Sequence, residues 1–109
     1  MSAPTTFKFA IWAPDYSDEE CLARRLSVRE RHLVNAKKLT EAGTLKLGGA
    51  MLKDGTHLTD QPKMQGSLMI YEAESIDVVW KLIKEDIYYT GNVWDKERLQ
   101  ITPFKSAGL

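Results

Sequence analysis

The segment SVRERHL, Ser27 to Leu33, places a histidine between charged neighbours and a leucine. Burial and a nearby carboxylate pull an imidazole's proton affinity in opposite directions, which suits a group that must both take and give a proton. His32 is therefore a candidate general base, with a core histidine bonded to a backbone carbonyl as the alternative. Asp86 is the candidate partner. It stands where a helical segment ends, followed by Ile87, Tyr88 and Tyr89. A carboxylate there meets the unfavourable end of the helix dipole, and turned toward His32 it would fix the imidazole tautomer. The plain alternative for Asp86 is a solvated helix-end residue.

Other residues suit the same chemistry. Arg29, one helical turn before His32, fits an anionic substrate group or a developing oxyanion, or else a salt bridge that orders the helix. Gly48 and Gly49 lie in a strand with no turn to make, so they mark either close approach of a ligand or a bulge. Trp12, Trp80, Tyr88 and Trp94 are candidates for an aromatic wall around a planar phenolic or quinoid substrate, or for core and dimer contacts. His57 lies in a Gly- and Pro-containing loop and reads as solvated surface or as part of a lid. Cys21 has no adjacent base and is not a candidate nucleophile. There is no CxxC, HxxxH or HExxH spacing, and the two histidines are 25 positions apart, so a protein-only zinc or haem site is not expected.

The elements that position these residues follow from periodicity. FKFAIWAP alternates as a first strand that Pro14 ends. Ser17 and Glu20 have capping-box spacing for a short helical turn; Ser27 and Glu30 repeat it at the start of a helix running to about Ala42 and closed by Gly43. Val28, His32, Ala36 and Leu39 then share one apolar side. LKLGGAML and SLMIYEA read as two further strands joined by a long loop, 53–66. Ser75 caps a second helix to about Glu85, with Ile76, Val79, Trp80 and Ile83 facing a core. KERLQITPF contains a last strand that Pro103 stops. The order is βαββαβ, and its two βαβ-like halves form the split pattern of ferredoxin-like folds. Helices then cover one sheet face only. The other carries apolar side chains from strands one and three, and a second copy of the chain is the simplest cover.

Composition bounds the rest. A chain of 109 residues with 43% hydrophobic and 28% charged residues is expected to form a single domain over 1–109. Fifteen basic and fifteen acidic side chains cancel, so neither nucleic acid nor a membrane surface is an expected partner. With no long apolar run and a single cysteine, a soluble cytoplasmic protein is expected.

Four segments, RLSVRERHL (Arg25 to Leu33), EAGTLKLGGAM (Glu41 to Met51), EDIYY (Glu85 to Tyr89) and ITPF (Ile101 to Phe104), resemble the YCII-related family over nearly the whole chain. That resemblance implies an α+β fold, a ferredoxin-like βαββαβ protomer forming a dimeric α/β barrel, with a histidine and aspartate pair in a cleft of each protomer. By position the pair falls on His32 and Asp86, and the family's arginine on Arg29. Family members commonly carry proline between the arginine and the histidine, where this chain has Glu30 and Arg31. They also carry one after the aspartate, where it has Ile87, and that departure bears on how Asp86 is presented. The implied activity is cofactor-free acid/base catalysis of lyase or isomerase type on an aromatic, quinol or enol-type small molecule. A related dehydrochlorinase removes HCl from a chlorinated hydroxyhydroquinone. The competing expectation is a non-catalytic dimer that binds a metabolite or a protein through the same cleft.

Overall fold

Residues 5–108 are described in the computed structural model. They form β1 (Phe7–Pro14), α1 (Cys21–Glu41), β2 (Leu45–Leu52), β3 (Met64–Ala73), α2 (Ile76–Glu85), a short α3 (Ile87–Thr90) and β4 (Gln100–Phe104). The four strands make one antiparallel sheet in the order β2-β3-β1-β4. This is the ferredoxin-like βαββαβ arrangement with α3 added after the second helix.

The period-two pattern decides which side chains meet the helices. Phe9, Ile11 and Ala13 of β1 and Ser67, Met69, Tyr71 and Ala73 of β3 are buried beneath α1 and α2. Val79 and Ile83 reach this layer from α2, at the 3.6-residue period expected for it. Trp94 and Val93 close the core from the segment after α3. The opposite face is open. It is carried by Trp12, Leu47 and Leu68, while Phe9 and Ile11 of β1 lie inward.

Several boundaries differ from the sequence pattern. α1 is continuous from Cys21, with Glu20 at its cap, and neither serine caps it. Ser27 Oγ instead donates to Arg24 O at 2.7 Å within the helix. The buried side of α1 therefore begins earlier, with Cys21 and Arg25, before reaching Val28 and His32. Its end is as expected: Gly43, at φ +80°, donates to Thr40 O, and Thr44 N donates to Leu39 O, satisfying the last carbonyls. Met64, Gln65 and Gly66 belong to β3 rather than to the preceding loop, where Thr56–Leu58 makes a single 3-10 turn. Pro103 does not stop β4; it pairs with Phe9 in an edge strand, where a nitrogen that is not required to donate is tolerated.

Candidate active site

α2 ends at Asp86, and the same residue starts α3 by accepting from Tyr88 N–H at 2.9 Å. Oδ1 of that carboxylate also lies 2.9 Å from Nδ1 of His32. With Asp86 as acceptor, Nδ1 carries the proton and Nε2 is left as the basic nitrogen. Asp86 is 2% exposed, so the solvated helix-end reading does not hold. Ile87 stands at the first position of α3, where a proline would sit without donating, and the cap orients Asp86 without it.

The His32 ring is fixed on a second side. Tyr88 stacks on it with centroids 3.8 Å apart and planes 14° from parallel, and Trp94 meets it edge-on at 5.9 Å. The Arg25 guanidinium lies over the Tyr88 ring at 4.6 Å. Tyr88 is thus held between a stacked imidazole and a guanidinium.

Arg25 is anchored in turn. Its Nη1 donates to both oxygens of buried Asp15, at 2.9 and 3.1 Å, and its Nη2 donates to Ser67 Oγ at 3.0 Å. Trp94 Nε1 donates to the same Oγ at 3.1 Å. Burial pushes the Asp15 carboxyl up from its ordinary value, against the opposing pull of Arg25. Arg98 Nη2 donates to the Asp15 carbonyl at 2.6 Å and ties β1 to the approach of β4.

Between α1 and the β2–β3 side of the sheet lies a cleft of about 480 Å³. His32, Asp86 and Tyr88 line one side, Arg25 and Ser67 its inner end, and Gly48, Gly49 and Tyr71 the sheet wall. Arg29 is exposed at its border. The two glycines lie in regular pairing with Met69 and Leu68; the register shifts fall to either side, between Leu45 and Leu47 and between Met51 and Leu52. The aromatic wall does not assemble as expected. Tyr88 alone of the four lines the cleft, Trp94 is buried behind His32, Trp80 packs half-buried from α2 against the core, and Trp12 lies on the open sheet face. His57 is exposed, and Cys21 is buried with its thiol donating to Val93 O at 3.3 Å. Burial pushes that thiol up, in keeping with an unreactive cysteine.

Arg25, Asp15, Ser67 and Tyr71 were not singled out from the sequence. Arg25 was within reach, since it precedes His32 by seven positions and so shares its side of the helix. Ser67 and Tyr71 share Met69's side of β3 by the strand period.

A family model for the YCII-related domain matches residues 7–105. The chain belongs to the YCII-related family. Fusaric acid biosynthesis protein 2 of Gibberella moniliformis is 33% identical over 99 residues, which are 91% of this chain and 93% of that protein. Protein YciI of Escherichia coli is 31% identical over 97 residues, covering 89% of this YCII-related chain and 95% of its own. Among solved structures, 5-chloro-2-hydroxyhydroquinone dehydrochlorinase of Burkholderia phenoliruptrix, in complex with 2,5-dihydroxybenzoquinone, matches with a TM-score of 0.76 at 26% identity. That match covers 90% of this chain and 93% of the dehydrochlorinase.

Proposed function

We propose that this YCII-related protein is a small-molecule enzyme of lyase or isomerase type, in which His32, oriented by Asp86, moves a proton on an enol- or quinol-type substrate. The observation that carries this reading is the 2.9 Å contact between His32 Nδ1 and Asp86 Oδ1 at the wall of a ligand-sized cleft. Nε2 removes a proton from a C–H or O–H of the substrate, and the imidazolium that forms is stabilised by the carboxylate and by the Tyr88 ring against it. The same proton then returns to another atom of the substrate in an isomerisation, or passes to solvent as a leaving group departs in an elimination. Likeness to a dehydrochlorinase and to proteins named for fusaric acid biosynthesis supports chemistry on a small molecule.

We assign Arg29, at the border of the cleft, to the substrate's anionic group; the proposed reaction uses protein groups alone. A second copy of the chain covers the open face, where Trp12 is 51% and Leu47 58% exposed, to make a homodimer. Among the described residues no helix is long and apolar enough to cross a membrane, which agrees with a cytoplasmic location. The decisive experiment is His32→Ala against wild type over a panel of quinols, lactones and enol acids. Turnover by wild type, lost by two or more orders of magnitude in the variant, is the expected result; equal turnover overturns the assignment.

A further inference from the structure

Three hydroxyl groups in the cleft have protons to give and no acceptor among the described residues. Ser67 Oγ accepts from Arg25 Nη2 and from Trp94 Nε1, so both its lone pairs are engaged and its own O–H remains as a donor. Tyr71 and Tyr88 are each 1% exposed, yet neither phenol donates to a described side chain or carbonyl. Among the buried side-chain nitrogens and oxygens of the described residues only Arg25 Nε is both sealed and unpartnered. The two phenol oxygens therefore reach open space, and the space these residues line is the cleft.

Acceptors, by contrast, are few. Among the described residues the single carboxylate lining the cleft is Asp86; its Oδ1 already receives His32 and Tyr88 N–H, which leaves its Oδ2. Arg25 is balanced by Asp15 and Lys46 by Glu72, but Arg29 and Lys37 add positive charge at the same cleft. Burial, reinforced at Tyr71 by the Asp86 charge, keeps both phenols protonated well above neutrality. A cleft furnished with donors and cations is complementary to ligand oxygens that bear negative charge.

We propose that the hydroxyls of Ser67, Tyr71 and Tyr88 form a donor set for the oxygens of an anionic substrate, a carboxylate or an ionised hydroxy-carbonyl compound. This rests on the acid/base reading for taking the cleft as the substrate site, and adds the hydroxyl groups that hold the substrate's anionic oxygens. Ser67 and Tyr71 lie four residues apart on one side of β3, roughly 13 Å between backbone positions, so they address different parts of a ligand. Tyr88 contributes through its hydroxyl, since its ring already stacks on His32 and lies against Arg25.

The test uses the full chain and a probe that need not react: 2,5-dihydroxybenzoquinone, a hydroxyquinone that ionises to an anion, compared with uncharged 2,5-dimethoxybenzoquinone. Calorimetric titration is expected to show the dimethoxy compound binding at least about tenfold more weakly. Tyr71→Phe and Tyr88→Phe are each expected to weaken the anionic probe by about tenfold without lowering the melting temperature, because neither change removes a bond within the protein. Wild-type affinity in both variants, equal binding of the two quinones, or no binding of the anion by wild type overturns the donor set. So does a lowered melting temperature of Tyr71→Phe, which would show that its hydroxyl serves the fold. Failure of the base is separable: a His32→Asn protein that binds the probe and retains full turnover sinks the acid/base reading while leaving the donor set intact.

Discussion

His32 and Tyr88 lie face to face at 3.8 Å, and the backbone N–H of that same tyrosine bonds to the carboxylate that holds the imidazole. One residue therefore fixes both the ring and its partner. Asp86→Asn keeps an oxygen for the cap of α3 but removes the charge that supports the imidazolium. The expected result is a folded protein whose turnover falls by roughly two to four orders of magnitude. Steady-state kinetics beside thermal melting checks it. A large loss of stability would show Asp86 to be structural first.

Arg25 and Asp15 are a buried ion pair, with side chains 4% and 5% exposed. Removing one member strands the other, at a cost of about 3–5 kcal/mol. Arg25→Met and Asp15→Asn should each lower the midpoint of urea unfolding strongly. The double variant should recover part of the loss, since no unpaired charge remains. Three equally small effects would mean that water reaches this network freely.

Much of the site was legible because helices and strands repeat at fixed periods. His32 fell on the apolar side of α1, and Ser75 and Glu85 bounded α2 as the capping and stripe pattern required. The Arg25, Asp15 and Ser67 network was not legible, because charged side chains read as solvated unless a partner is known, and these partners are 10 and 42 residues away from Arg25. The start of α1 was misplaced because Ser27 and Glu30 mimic a capping box inside a helix that had already begun. α3 is only four residues long, too short for any periodic signal, and depends on the Asp86 cap.

Tyr71 and Tyr88 hold their protons above the ordinary tyrosine range, chiefly because burial penalises the phenolate. With the folded value raised, their contribution to stability is complete below about pH 10, the unfolded value, and is lost as pH rises through the folded one. Unfolding free energy should therefore fall above about pH 10, more gently in Tyr71→Phe and Tyr88→Phe than in wild type. Urea unfolding at stepped alkaline pH, paired with tyrosinate absorbance, reads this out. Identical slopes in all three proteins would refute it.

Trp12 on β1 and Leu68 on β3 are register partners on the open sheet face, 51% and 38% exposed. Two sheets packed on this face would bury them at the centre of a homodimer. Light scattering should give wild type twice the 12.4 kDa chain mass, and Trp12→Glu should shift it to monomer while far-UV circular dichroism is preserved. A monomeric wild type removes the proposed barrel.

Gly66 and Gly49 both lie in strands, but a side chain would meet very different surroundings at each. A Cβ on Gly66 would fall 2.5 Å from Met51 Cε, 2.9 Å from the Ala13 carbonyl and 3.2 Å from Pro14 Cα, so part of the clash is with backbone. Gly66→Ala should cost about 1–3 kcal/mol as overpacking between β1, β2 and β3. A Cβ on Gly49 meets nothing within 4 Å, and the residue lines the cleft. Gly49→Ala should therefore be neutral, or stabilising by up to about 1 kcal/mol through the unfolded chain. The methyl would stand beside Leu68 on the open sheet face rather than on the helix side where His32 and Asp86 lie, so KM should be unchanged in Gly49→Ala with the melting temperature held. A raised KM would show that the ligand reaches round β2 to this glycine. Calorimetry and initial rates on the same preparations decide between the two.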